Sequence, residues 1–316
     1  MSRVVVAGGA GFLGSHLCDR LIERGDSVVC LDDLSTGSKE NIAHLLEHDR
    51  FHLIVTNVSE KVELGDDDPV HAVCHLASPA SPPAYLARPF DTLAVGSEGT
   101  RRLAELARAH DARFLMASTS EVYGDPEVHP QVESYRGNVD PTGPRSVYDE
   151  AKRFAESLTM AMHRTHRVNV GIVRIFNTYG PRLSAGDGRV VSNFIVQALR
   201  GDPLTVYGDG TQTRSLCFVD DEIAGLVALL DSSLTGPVNI GNPDERTMLE
   251  LAHFVLEATG SSSQITFEPL PQDDPTRRCP DITLAKTALG WEPTTGLSEG
   301  IERTIEYFER KVKQGK

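Results

Sequence analysis

Four apolar residues, Val4-Val5-Val6-Ala7, run directly into Gly8-Gly9-Ala10-Gly11-Phe12-Leu13-Gly14. The residues after them read as a helix to about Arg24, and Gly25-Asp26 turns the chain into a second apolar run, Ser27 to Leu31, ending at Asp32-Asp33. Strand, glycine turn, helix and strand in that order predict a βαβ unit of a parallel sheet that binds a dinucleotide. Gly8 permits the tight turn, Gly11 lets the backbone approach a pyrophosphate, and Gly14 allows the helix to pack on the sheet. The pyrophosphate is expected on the helix N-terminus, where free N–H groups and the dipole favour an anion. Asp32 is placed to accept hydrogen bonds from the adenosine ribose and to repel a 2′-phosphate. Leu34-Ser35-Thr36-Gly37 supplies no arginine beside it. NAD is therefore expected rather than NADP.

The alternation continues. Phe51 to Val55, Ala72 to Leu76 and Val168 to Ile175 read as further strands, with a helix over about Phe90 to His110. This predicts an α/β fold, a Rossmann-type doubly wound parallel sheet. Asn57-Val58 follow one strand end and are placed to reach the adenine. Ala77-Ser78-Pro79-Ala80-Ser81-Pro82-Pro83 forms a stiff loop at another, and Asp66-Asp67-Asp68 reads as a solvated loop. After Gly180-Pro181-Arg182 the segments become shorter and more mixed. A helix is expected from Gly186-Asp187-Gly188 to about Arg200, a strand at Leu204 to Tyr207, a polar loop over Gly208 to Arg214, and a helix capped by Asp220. Helices at Met248 to Thr259 and Leu297 to Lys311 close the chain, with Lys313 to Lys316 as a frayed tail. The expected division is residues 1–180 as the NAD-binding domain and 181–316 as mainly a smaller mixed α/β substrate-binding domain, some of whose segments return to the first.

The chemistry is expected at Ser118-Thr119-Ser120-Glu121 and Tyr148-x-x-x-Lys152. The first follows the apolar run Arg113 to Ala117, so its polar residues emerge at a strand's carboxyl end, where open parallel sheets bind ligands. The second opens a helix from Ser146 to about Thr165, and a spacing of four puts Tyr148 and Lys152 on one face. A neighbouring ammonium group favours ionisation of the phenol. Hydroxyl, phenol and ammonium converging there can take a proton from an alcohol as its hydride leaves. Alone, the spacing fits an ordinary surface pair; with the glycine loop and the strand-end triplet it reads as a reaction centre. His163 and His166, three apart, read as solvated side chains.

With 45 acidic against 31 basic residues the formal charge is −14, which argues against nucleic acid and anionic membranes as main partners. No apolar run approaches the ~18 residues of a membrane span. No signal-peptide pattern precedes the first strand. The five cysteines are scattered without metal-ligand spacing and read as reduced thiols, so a cytoplasmic location and no metal are expected.

Over nearly its whole length, about Val4 to Tyr307, the chain resembles the extended short-chain dehydrogenases/reductases, and most closely their UDP-glucuronate decarboxylase (UDP-xylose synthase) branch. The wider resemblance rests on the glycine loop and Tyr148-x-x-x-Lys152. The narrower one rests on His75-Leu-Ala-Ser-Pro-Ala-Ser-Pro-Pro83, Ser118-Thr-Ser-Glu-Val-Tyr-Gly-Asp-Pro-Glu-Val-His-Pro130, Arg174-Ile-Phe-Asn-Thr-Tyr-Gly-Pro-Arg182, Asp187-Gly-Arg-Val-Val-Ser-Asn-Phe194 and Asp273-Asp-Pro-x-x-Arg278. It implies C4 oxidation by NAD, loss of CO2 from the 4-keto sugar, and C4 reduction to UDP-xylose. It implies that Tyr148 moves the proton, Thr119 binds the C4 oxygen, Lys152 anchors the nicotinamide ribose, Ser120 and Arg278 contact the sugar carboxylate, and Glu121 acts in decarboxylation. Asn177, Arg189, Val190, Tyr207, Gln212 and Arg214, with Pro79, are implied for the nucleotide sugar. Phe12, Leu13, Asp33, Ser35, Thr36 and Gly37 are implied for NAD, as are Leu76, Ala77, Ser78 and Ser118. It implies a homodimer formed through the helices near Phe90–His110 and Ser146–Thr165.

One departure stands out. Where such relatives carry Lys-Thr-Asn, with contacts to substrate and NAD, this chain has Ala94-Val95-Gly96. A helical glycine also costs about 1 kcal/mol relative to alanine. Thr119-Ser120-Glu121 lacks the acid that a 4,6-dehydratase needs to expel water, which favours decarboxylation. A 4-epimerase, a dehydratase and a non-catalytic NAD or nucleotide-sugar sensor remain the other readings.

Overall fold

The computed structural model of the chain describes residues 2–65, 68–270 and 275–313. Asp66, Asp67, Asp273, Asp274 and the last three residues, each part of an expectation above, lie outside that range. Six parallel strands, β1 (Arg3–Ala7), β2 (Ser27–Asp32), β3 (Phe51–Val55), β4 (Ala72–His75), β5 (Arg113–Thr119) and β6 (Val170–Ile175), form the central sheet with a seventh, Val238–Ile240. The spatial order is β3-β2-β1-β4-β5-β6 and then Val238–Ile240, with every pairing parallel. Strand order reverses between β1 and β4, which opens a crevice at the carboxyl ends.

The sheet is buried on both faces, which explains the near-continuous apolar strands. Val4, Val6, Leu115 and Ala117 enter one core, while Val5, Ala7, Phe114 and Met116 enter the other. Helix α1 (Phe12–Glu23) packs in the first core. The second is covered by α4 (Thr100–Ala109) and α5 (Ser146–His166), through Leu103, Ala155 and Met162.

Several boundaries differ from the sequence reading. The helix expected over Phe90 to His110 is three pieces: α3 (Pro89–Ala94), a π-helical turn Val95–Gly99, and α4. Gly96 in that turn meets α5 so closely that an added Cβ would lie 2.8 Å from Ala151 Cβ and from its carbonyl oxygen. The glycine that looked costly for a helix is thus required by the approach of two helices. The helix after Gly188 begins at Val190 with Arg189 as its N-cap, giving α6 (Val190–Arg200). Asp220 caps nothing: Phe218 is the N-cap of α7 (Val219–Leu230), and Asp220 lies in the first turn, paired with Arg303 at 2.6 Å. Part of the expected polar loop is a strand, Thr213–Ser215, paired antiparallel with Glu245–Thr247. Leu204–Tyr207 pairs with Ile265–Glu268. Helices α8 (Met248–Thr259) and α9 (Leu297–Lys313) pack with α6, and Lys313 ends α9 rather than starting a tail. α7 packs against α1 and the sheet, so residues after 181 complete the first layer system.

Candidate active site

A cavity of about 1030 Å³ runs over the carboxyl ends of the strands and down between the sheet and the α6–α9 side. Every residue proposed above for cofactor or substrate borders it, except Arg278.

At one end lies the glycine loop. Gly8 has φ +82°, and an added Cβ would meet the Ala77 nitrogen at 2.6 Å. A Cβ on Gly14 would stand 2.0 Å from the Gly8 carbonyl oxygen, so this residue is fixed by packing. Gly11 is different: its Cβ would meet only the Gly8 oxygen, at 3.2 Å. Gly11 is the N-cap of α1, with no side-chain cap and no acidic residue in the first turn. The helix therefore presents bare N–H groups to the cavity, as a bound pyrophosphate requires. Phe12 and Leu13 border the same space.

Asp32 is buried. Its Oδ2 accepts the Ala10 N–H at 2.9 Å and its Oδ1 the Leu34 N–H at 2.8 Å. Burial raises its pKa against those two bonds. It braces the glycine loop as well as bordering the cavity, a role the sequence reading lacked. A Cβ on Gly37 would lie 2.8 Å from Asp32 Oδ1, so Gly37 protects that carboxylate's fit. Asp33 caps the turn, accepting the Ser35 N–H at 2.9 Å. Thr36, Asn57 and Val58 border this end, and Leu76, Ala77, Ser78 and Pro79 continue the wall. Ser118 reaches it without its hydroxyl, which donates to Glu156 Oε1 at 2.6 Å.

The reaction centre is built on the end of β5 and the start of α5. Thr119 caps the 3₁₀ turn Ser120–Tyr123, which brings Ser120 and Glu121 back towards the cavity. Tyr148 and Lys152 come from α5, both buried. Lys152 Nζ donates to the Ala117 carbonyl oxygen at 2.8 Å and lies 5.8 Å from the centre of the Tyr148 ring. Burial lowers the Lys152 pKa to about 8. Burial also raises the Tyr148 phenol to about 12, against the Arg189 charge and a hydrogen bond with Thr119. In the protein alone, desolvation thus opposes ionisation of the phenol, while the Arg189 charge and the Thr119 hydrogen bond favour it.

Two neighbours escaped the sequence reading. Tyr85, from α2 (Pro82–Ala87), stacks on Tyr148, and its buried hydroxyl has no hydrogen-bond partner among the described residues. Arg145 pairs with Glu121 at 2.7 Å. Its position three residues before Tyr148 was the available signal, since that spacing shares a helical face. Arg278, expected at the sugar carboxylate, is 1 % exposed; it donates to the Ser120 carbonyl and pairs with Glu121 at 3.2 Å behind the cavity wall.

On the substrate side, Arg189 is paired with Asp187 at 3.0 Å, and Val190 opens α6 beside it. Asn177, Tyr207, Gln212 and Arg214 border the far end, where the Gln212 amide donates to the Tyr207 carbonyl at 2.6 Å. Away from the cavity, ligand atoms of His129, Glu245 and Cys279 lie within 4.8 Å of one another, with His129 Nε2 3.1 Å from Glu245 Oε2.

A parallel sheet with a glycine-cradled crevice and a Tyr-Lys helix defines a nucleotide-dependent oxidoreductase scaffold. Residues 4–241 match the NAD dependent epimerase/dehydratase family, and the chain belongs to it. Within it, the chain is 50% identical over 310 residues to the UDP-glucuronic acid decarboxylase 1 of Danio rerio, covering 98% of this chain and 73% of that one. It is 53% identical to the UDP-glucuronic acid decarboxylase 4 of Arabidopsis thaliana over 98% of this chain and 69% of the other. The solved UDP-glucuronic acid 4-epimerase of Bacillus cereus, in complex with UDP-glucuronic acid and NAD, superposes with a TM-score of 0.87 at 29% identity, covering 98% of this chain and 99% of that one. The family's cofactor is NAD, and the bare α1 terminus over Gly11 fits it.

Proposed function

We propose that the chain converts UDP-glucuronate to UDP-xylose and CO2 through a UDP-4-keto sugar. The observation that carries this reading is the half-identity, over nearly the full chain, to proteins named for that decarboxylation. Thr119-Ser120-Glu121 beside Tyr148 on one cavity wall supports it.

NAD, held by the glycine loop and the bare N-terminus of α1, would supply the hydride acceptor and donor that C4 oxidation and reduction require. Tyr148, acting as the phenolate with Lys152 Nζ 5.8 Å from its ring centre, takes the C4 hydroxyl proton, and Thr119 shares a hydrogen bond with the same oxygen. The new ketone stands beta to the C5 carboxylate. The C–C bond electrons flow into that ketone as an enolate while CO2 leaves, and a proton from solvent then adds at C5. The Tyr148 phenol gives its proton back to O4 as the alcohol re-forms. Ser120 stands where a 4,6-dehydratase needs an acid to expel water, and Glu121 beside it is paired with Arg145 at 2.7 Å and Arg278 at 3.2 Å. Arg189 and Arg214 supply cationic partners for the diphosphate. Ser120 borders the space for the sugar carboxylate.

Incubation of the purified chain with UDP-glucuronate, with and without added NAD⁺, tests this. CO2 release with UDP-xylose identified by NMR and no net NADH is expected. Inversion at C4 without CO2 would replace the reading with a 4-epimerase, the activity named for the B. cereus neighbour. Absence of any turnover would favour a sensor.

The same proposal includes a homodimer. Phe90 and Leu93 on α3 and Phe154 on α5 are large apolar side chains left exposed, Phe90 at 83%. They lie on the helices through which the resemblance implies pairing. Light scattering on the chain and a Phe154→Glu variant tests it: dimer for the first, monomer for the second. The proposed location is the cytoplasm, in keeping with five cysteines that are all buried and unpaired. No helix among the described residues is long and apolar enough to cross a membrane. Fractionation of the source cells with a specific antibody checks the location.

A further inference from the structure

Two guanidinium groups reach the Glu121 carboxylate from distant parts of the chain. Arg145 Nη2 donates to Glu121 Oε2 at 2.7 Å, and Arg278 Nη2 donates to the same oxygen at 3.2 Å. Arg278 lies behind the wall, whereas Arg145 borders the cavity together with Glu121. Arg145 is also the N-cap of α5, and its carbonyl accepts the N–H groups of Tyr148 at 3.0 Å and Asp149 at 3.2 Å. One residue thus ties the first turn of the helix that carries Tyr148 to the carboxylate beside it.

The charged and titratable surroundings of Glu121 are mixed. α5 brings Asp149 and Tyr148, α2 brings Tyr85, the strand Thr213–Ser215 brings Arg214, and Arg278 closes the back. Burial works against the ionised form; Arg278, Arg145 and Arg214 outweigh it and bring the carboxyl to about 2.

We propose that Arg145 is a positioning residue that holds Glu121 as a fixed anion at the reaction centre, where Glu121 accepts hydrogen bonds and never donates a proton. Its effect on turnover rests on the decarboxylation reading. Engagement with Glu121 also keeps Arg145 from locking onto the sugar carboxylate. Negative charge must leave that carboxylate as CO2 departs, so a cation held there would stabilise the ground state more than the transition state. Without Arg145, Glu121 keeps the Arg278 contact but loses the shorter one, and burial then raises its affinity for a proton.

The test compares Arg145→Met, Arg145→Lys and Glu121→Gln in the full chain. The Glu121 carboxyl is followed by ¹³C NMR, with Glu121→Gln identifying its signal. In the unaltered protein Glu121 is expected to stay ionised throughout the mildly acidic range. In Arg145→Met it titrates there, and Arg145→Lys restores the original behaviour. CO2 release gives the second readout. Arg145→Met is expected to lower kcat about 10–100-fold, the loss of one charge-assisted hydrogen bond. The loss is larger at pH 6 than at pH 8, while KM changes much less. Adding Arg145→Met to Glu121→Gln costs nothing further. An unchanged Glu121 titration in Arg145→Met, or fully additive losses, overturns the proposal. If Arg145→Met does not fold, Arg145→Gln removes the charge while keeping a donor and carries the same comparison. An unaltered protein that releases no CO2, in which Glu121 nonetheless titrates as described, removes the assigned reaction and leaves the positioning role standing.

Discussion

The ring of Tyr85 lies flat against that of Tyr148, with centroids 5.1 Å apart and planes 6° from parallel. A buried phenol that must meet a substrate oxygen is thereby held at one orientation by a second ring, not only by its own helix. Tyr85→Ala is expected to cost about 3–5 kcal/mol of stability, as for other buried aromatics. It is also expected to lower kcat at least ~10-fold, since small misplacements of reacting groups are costly. Tyr85→Phe keeps the stack and removes a hydroxyl without a partner, so stability is unchanged or slightly higher and kcat is retained. Calorimetry and CO2 release on both variants check the pair.

Tyr148→Phe removes the proton carrier and nothing that packs. Turnover is expected to fall ~10²–10⁴-fold, the usual span for a lost general base, with the melting temperature almost unchanged. A loss below tenfold would mean another group carries the proton.

The glycine loop separates packing from binding. Gly14→Ala puts a methyl 2.0 Å from a backbone oxygen and is expected to destabilise the chain by about 3 kcal/mol or more. Gly11→Ala meets one oxygen at 3.2 Å and leaves folding within about 1 kcal/mol. The Gly11 methyl stands over the bare N-terminus of α1, so NAD affinity is expected to drop at least ~10-fold. Thermal unfolding and NAD titration by calorimetry distinguish the two substitutions.

Asp149 adds a pH dependence of stability. Burial, and then the Glu121 charge, push its carboxyl up to about 7, and its Oδ1 has no hydrogen-bond partner among the described residues. Between its ordinary pKa and about 7 the folded protein binds more protons than the unfolded chain. Stability contributed at this site therefore falls as pH rises through that window. Asp149→Asn is expected to stabilise the protein at pH 8 by on the order of 1 kcal/mol, and by much less at pH 4. Melting curves at both values decide it.

The parts of this site legible in the sequence are those whose meaning is local. A strand running into Gly8, Gly11 and Gly14 carries its geometry within a dozen residues, and Tyr148 and Lys152 share a face by helical period alone. The family resemblance supplied the substrate-side residues. What stayed hidden depends on contacts between distant segments. Tyr85 meets Tyr148 only because α2 folds under the start of α5. Arg278 was assigned to the sugar carboxylate by resemblance alone, and its contact with Glu121, 157 positions earlier, could not be read from the sequence. The burial that opposes ionisation of Tyr148 is invisible in a sequence, which shows neighbours but not desolvation. Gly96 looked like a helix defect because Ala151, which it touches, lies far away in the chain. Val238–Ile240 is too short for its periodicity to announce a strand.

That last strand bears on how the protein can be divided. It seals β6 with backbone drawn from beyond the cavity's far wall, and α7 just before it braces α1. A fragment ending at residue 180 would leave the β6 edge open, inviting other chains to add to it. The cofactor-binding half is therefore no detachable module, and the nucleotide cradle and the sugar-facing wall are built from one interleaved stretch of chain. Fusions or splits made for engineering belong after α9 or in exposed loops, not between residues 180 and 181, because later segments return to the first domain.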